Sequence, residues 1–304
     1  MAKQGTRRPP RWMKLAALVG SLALCVGAAE LALTVYHVLK LRAYEASLPP
    51  EPERAMVPSD DPLLGVEFNP GFARDGFTVN DFGMADDPVE PARTPRVVRV
   101  ALFGDSVSAN FQLEPRAVTF PTLLEQRLQE GGSDARRVEV LNFGVNSYSI
   151  LQSLRMAQLR DPVFQPDAIV LQLCLNDPYP TTLANQLPPP LYPLRTIDAV
   201  LRRVAPDWFW VRFQVERLYD EQGWANVAAG LDGFAKLAGE RPLLAVLFPF
   251  LDERVYGDRD FGELHAGWAA RARRRRTAAR SARRLRARGP ARRAAARGPH
   301  PPGP

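Results

Sequence analysis

The chain has 304 residues, 40 Lys plus Arg against 33 Asp plus Glu, and a net charge of +7. Its 46% hydrophobic and 24% charged fractions exclude a wholly disordered or fibrous chain. The length holds one large α/β domain or two small ones. The charge is uneven: His265 to Pro304 holds 13 Arg and no acid, which leaves 27 basic against 33 acidic residues, a net −6, for the rest. A basic balance points to nucleic acid only where the folded body carries it, so no nucleic-acid partner is expected. Cys25 and Cys174 lie in separate apolar runs, which excludes a disulfide framework and a cysteine-rich zinc site.

In chain order, residues 1–14 form a basic segment with Lys3, Arg7, Arg8, Arg11 and Lys14. Residues 15–37 follow as an expected transmembrane anchor. Leu15 to Tyr36 is a 22-residue run whose one charge is Glu30, long enough to cross the hydrocarbon core as a helix. Its nine Leu and Val residues contribute about 4 kcal/mol to insertion, against at most about 3 lost to Glu30. Basic residues before the run keep the N-terminus cytoplasmic and export the body, to the periplasmic or extracellular side. A signal peptide cleaved near Ala28 or Ala29 gives the same placement. So does a lipid anchor on Cys25, although Leu24 stands where a small residue is required.

Residues 38–95 read as a linker, Pro-rich and acidic from Pro49 to Pro58, and then an irregular lead-in that packs on the main domain. Residues 96–264 alternate strand and helix. The strands are Val97–Phe103, Val138–Leu141, Ala168–Leu173 and Leu243–Phe248. The helices are Thr122–Glu130, with Leu123, Leu124 and Leu128 on one face, Ile150–Leu159 and Trp224–Ala238. Such alternation implies βαβ units and a parallel sheet covered on both faces. Pro188-Pro189-Pro190 and Trp208-Phe209-Trp210 mark a long excursion over the sheet's ligand-bearing edge. The aromatic cluster suits either packing or a pocket wall.

Three strands end in small polar residues: Gly104-Asp105-Ser106, Asn142-Phe143-Gly144 and Asn176-Asp177. Ligands of open parallel sheets bind beyond such ends. A hydroxyl, a backbone N–H next to Gly and a side-chain amide at one rim are the parts of acyl transfer: a nucleophile and two donors to an oxyanion. Each triplet alone also serves as a turn or helix cap; the ordered set is far more specific.

The set resembles the SGNH (GDSL) hydrolase family in its membrane-anchored, exported form. Ala101 to Ser106 looks like the family's first block, Asn142 to Val145 like its second, and Leu175-Asn176-Asp177 like its third. Cys174 stands where the third block usually has Gly, and Val79 to Gly83 resembles the lead-in of anchored members. The resemblance implies a flavodoxin-like three-layer fold and ester or acyl hydrolysis with no metal or cofactor. Ser106 would be the nucleophile, with Gly144, Asn176 and the Ser106 N–H as the oxyanion hole and Asp105 as the anchor of the turn. The substrate would be an ester-bearing small molecule or a cell-surface glycan. A non-catalytic acyl-glycan binding module and a polysaccharide O-acetyltransferase are the rival readings.

The family's last block, Asp-x-x-His, supplies the base, and it is not found here. His37 abuts the membrane run and His300 lies in a Pro-rich end. His265 has Gly262 where Asp would stand, which makes it a weak candidate and suits a surface helix better. The chain as written is therefore expected to show residual activity at most. Residues 265–304 read as a disordered Arg/Ala/Pro tail, which a shifted reading frame or misassigned end near Leu264 to Trp268 would produce.

Overall fold

A computed structural model describes residues 10–92, 94–109, 118–131, 136–179, 204, 216–248 and 261–273. The first element is helix α1 (Arg11–Ser47). Its segment Arg11–Lys40 is apolar enough and long enough to cross a membrane, and it is not buried against the rest of the chain. Trp12 and Tyr36 are exposed on it, 24 residues apart, or about 36 Å of helix. That length exceeds the roughly 30 Å of a hydrocarbon core. The helix exceeds the expected 15–37 at both ends, because its flanks, with Arg11, Trp12, Lys40 and Leu41, contain no helix breaker before Pro49.

Pro49 to Pro58 is not the extended linker the composition suggests. A 3-10 turn at Glu51–Glu53 and strand β1 (Met56–Pro58) occupy it, and β1 pairs antiparallel with β2 (Val66–Phe68). The Arg54 side chain donates to Pro49 O, and Asn69 Nδ2 donates to Glu51 O and Arg54 O. A second small hairpin, β3 (Ala73–Arg74) with β4 (Phe77–Thr78), completes the lead-in. Leu64, Phe68, Phe72, Val79 and Met84 sink into the main core, so the lead-in does pack on the domain as expected.

The sheet contains β5 (Val97–Phe103), β6 (Arg137–Asn142), β7 (Ala168–Leu173) and β8 (Leu243–Leu247). All three pairings are parallel and the spatial order is β6-β5-β7-β8. Counted within the sheet this is 2-1-3-4, the doubly wound flavodoxin order. Helices α2 (Ser106–Ala109), α3 (Phe120–Gly131), α4 (Ile150–Phe164) and α5 (Glu221–Ala238) alternate with the strands. The larger core layer holds Phe103, Phe143, Ile150, Phe164, Val227 and Phe234; the smaller holds Val100, Leu102, Val140 and Val170.

Two helices differ from their expected form. On α3, Leu123 and Leu128 are exposed, while Pro121, Leu124 and Glu125 turn inward. The cause is the sheet edge. The outward N–H groups of β6 at Val138, Val140 and Asn142 donate to Gln129 Oε1, Glu125 Oε2 and Asp86 Oδ2 at 2.7, 2.7 and 3.0 Å. An i,i+4 polar pair thus closes an edge that would otherwise template another strand. Helix α4 runs five residues past Leu159, through Pro162, because Phe164 is buried against Phe82 and Phe143 and Arg241 bonds Asp161 at 2.6 Å.

Residues 262–273 form a further helix, α6, across the expected boundary at 264/265. Trp268, expected in a disordered tail, is 3% exposed, and its indole N–H donates to the Tyr219 hydroxyl at 2.8 Å. The Arg271 guanidinium lies 3.7 Å from the Trp224 ring centroid. The composition loses its strand formers here, but Ala and Arg are strong helix formers, so a packed helix continues. The excursion at 188–190 and 208–210, His300 and residues 274–304 lie outside the described residues.

Candidate active site

In a 2-1-3-4 sheet the chain winds in opposite directions from β5, and the crevice opens between the carboxyl ends of β5 and β7. Gly104-Asp105-Ser106 leaves the first of these ends and Cys174 to Asp177 leaves the second. The Val145 N–H donates to Gly104 O at 3.2 Å, which brings the block after β6 to the same rim. The three sequence blocks therefore leave the same end of the sheet, with the second joined to the first.

Ser106 opens α2 and is half-buried. Asp105 holds that turn: its Oδ1 accepts the Val107 N–H at 2.9 Å, and its carbonyl accepts from Ser108 and Ala109. Gly104 and Gly144 are set by close approach. A Cβ on Gly104 would stand 2.3 Å from Gln172 Oε1, and one on Gly144 2.5 Å from the Ser108 Cβ. Real Cβ atoms do not tolerate either distance, so both positions require Gly.

The Gly144 N–H donates to Asn142 Oδ1 at 3.1 Å. Asn142 is buried, and its amide also donates to Ser108 O at 3.0 Å. The second block is thereby bound to α2, and one expected oxyanion donor already has an acceptor. Asn176 is exposed at the apex of the third block. Beneath it, Asp177 Oδ2 accepts the Cys174 N–H at 2.8 Å. The turn is gripped from outside as well: Ile150 N–H donates to Asp177 O, Tyr219 OH to Leu175 O at 2.9 Å, and Asn226 to Pro178 O at 2.9 Å. Such bracing suits a donor that must not move when charge develops.

Below the rim lie two buried carboxyls. Burial raises Asp105 above its ordinary pKa of 3.8, and burial followed by the charge of Asp105 raises Asp177 well above the same value. Asp105 Oδ2 and Asp177 Oδ1 have no hydrogen-bond partner among the described residues. Burial and both carboxyls also push the Cys174 thiol up, so it is no thiolate nucleophile. Cys174 at the usual Gly position is thus accommodated as a small buried side chain.

His265 lies on α6, one turn before Trp268, and is half-buried. Its Nε2 is shielded and without a hydrogen-bond partner among the described residues, and no contact described there joins it to Ser106. Among those residues, no three His, Cys, Asp or Glu side chains form a metal-binding group. Gln172, Tyr219 and Trp268 bear on the site but do not stand out by motif. Only Gln172 had a signal, as the single polar residue of the AIVLQL strand.

No family model matches the chain, and no curated protein matches it either. Solved structures do. A lipase/acylhydrolase from Enterococcus faecalis is 16% identical over 60% of this chain and 73% of its own, with a TM-score of 0.38. TesA is 18% identical over 59% and 74%, with a TM-score of 0.36. AlinE4, an SGNH-hydrolase family esterase, is 18% identical over 49% and 83%, with a TM-score of 0.27. By its own strand order the chain has a doubly wound α/β fold of the flavodoxin order.

Proposed function

We propose that the protein is a serine esterase or acyl hydrolase of the SGNH type, anchored by α1 with its body on the exported side of a membrane. One observation carries this reading: Ser106, Gly144 and Asn176 leave the carboxyl ends of β5, β6 and β7, at one end of the sheet, on turns held by buried hydrogen bonds. In the first step Ser106 Oγ attacks the ester carbonyl. The bond to the alcohol breaks, the hydroxyl proton passes to a base and then to the leaving alkoxide, and water later releases the acid. The Asn176 amide and the Ser106 N–H supply the oxyanion donors. The Gly144 N–H joins them once it is released from, or shared with, Asn142.

The substrate is an acyl ester, either a small molecule or an acylated glycan at the cell surface. No metal or cofactor takes part in this reading. The binding-module alternative draws support from His265, whose ring is not joined to Ser106 by any described contact. Hydrolysis of a chromogenic acetyl ester, with Ser106→Ala as control, tests the reading. A chain without a placed base retains at most about 10³- to 10⁴-fold over water, and a family-like Asp-x-x-His ending should raise the rate by orders of magnitude. An equal rate when Ser106→Ala is placed in the chain with the restored ending refutes the esterase reading.

A further inference from the structure

Gln172 is the one polar side chain in β7, fully buried in the middle layer of the fold. A buried amide costs several kcal/mol unless bonded, so its partners say what it is for. Its Oε1 accepts the Asp105 N–H at 3.0 Å and the Ser108 hydroxyl at 2.8 Å. A backbone N–H can only donate, so the atom facing it must be the amide oxygen, and the side-chain orientation follows. The Nε2 end points at Cys174 Sγ, 3.8 Å away. The two bonded residues stand on either side of Ser106, and Gly104 has no side chain because the Gln172 oxygen fills that space.

We propose that Gln172 is a positioning residue for Ser106, a brace from β7 that fixes the Asp105–Ser108 turn and with it the hydroxyl. The inference rests on Ser106 as the nucleophile. Gln172 touches no reacting atom. It links the first block to the strand that carries the third, so nucleophile and Asn176 hold one mutual geometry. A displacement of about 1 Å in such a group lowers turnover by about 100-fold.

The test uses the full chain in detergent with Q172M, a near-isosteric apolar change, and Q172E, which keeps an acceptor oxygen. Amide hydrogen exchange is followed in peptides covering 104–109, with 97–103 as the internal reference. Labelling of Ser106 by a fluorophosphonate, in which Oγ gives its proton to the base and displaces fluoride from phosphorus, is followed at several probe concentrations in the same chains carrying a family-like Asp-x-x-His ending. Q172M should speed exchange at 104–109 by about tenfold, because a buried donor loses its acceptor, and leave 97–103 unchanged. It should also lower the maximal labelling rate while the half-saturating probe concentration stays the same. Q172E should restore most of both. Should Q172M fail to fold, Ser108→Ala removes one of the two bonds and should speed the same exchange by about threefold. Unchanged exchange at 104–109, equal acceleration at 97–103, or a Q172E chain that behaves like Q172M overturns the proposal. Failure of the chain with the restored ending to label removes Ser106 as nucleophile, and the exchange data still decide whether Gln172 braces the turn.

Discussion

Arg99 is the largest of the fully buried side chains among the described residues, and each of its five N–H donors has an acceptor. Nε bonds Glu139 at 3.1 Å; Nη1 bonds Pro91 O at 2.7 Å and Phe164 O at 3.2 Å; Nη2 bonds the carbonyls of Glu90 and Ala92. The guanidinium thus joins the lead-in and the end of α4 beneath the strand that carries Ser106. Replacing it with Met keeps the apolar stem and removes all five bonds. Glu90, Pro91 and Ala92 are exposed or half-exposed, so water takes over at their carbonyls. The Phe164 carbonyl is buried and costs about 1–3 kcal/mol when left unbonded. Breaking a buried ion pair costs about 3–5 kcal/mol, but the Glu139 side chain is 16% exposed and Arg137 approaches it at 3.9 Å, so the lower half of that range applies. The sum is about 4–7 kcal/mol, comparable to the whole stability of a small domain. Urea unfolding of the detergent-solubilised chain should therefore show Arg99→Met largely unfolded, with partial recovery in Arg99→Met/Glu139→Gln. A loss below about 1 kcal/mol would refute the reasoning, because it would mean that water matches the guanidinium at every acceptor.

Trp268→Ala should cost about 3–5 kcal/mol, as for other buried aromatic truncations; a change under about 1 kcal/mol would show that α6 is not docked. Glu125→Ala with Gln129→Ala frees two outward N–H groups of β6, so concentration-dependent aggregation should appear by light scattering. A double variant that stays monodisperse removes the edge-capping role. Asp177 holds its proton more tightly folded than unfolded. The stability tied to it is thus complete below the ordinary carboxyl pKa of 3.8 and falls as pH rises through the raised value. Asp177→Asn should flatten the decline of melting temperature above pH 4, whereas an unchanged slope places the dependence elsewhere. The effect of Asp61 runs the other way, since its hydrogen bond with Arg155 lowers its pKa and its contribution is lost as pH falls. Asn176→Ala, in a chain with a restored C-terminus, should cut turnover by about 10²- to 10³-fold with little change in substrate affinity; a loss below about threefold removes Asn176 from the oxyanion hole.

Much of the scaffold was legible from local pattern. The β-branched runs at Val97–Phe103 and Ala168–Leu173 form strands with those bounds, and Gly, Asn and Ser at successive strand ends pointed to one rim, because a parallel α/β sheet has only one place for ligands. The length and near absence of charge of the apolar run also read the helix near the N-terminus as able to span a membrane. What local pattern could not supply was every choice made by a distant partner. Leu123 and Leu128 face outward because the β6 edge claims Glu125 and Gln129. Pro49 to Pro58 is pinned because Asn69 reaches back to its carbonyls, and α6 is packed because Tyr219 and Trp224 meet it. Asn142, rather than an open crevice, accepts from the Gly144 N–H. Composition and period report the preference of a segment for a state. A hydrogen bond between residues 67 positions apart, like that from Asp105 to Gln172, exists only once the sheet has brought its strands together.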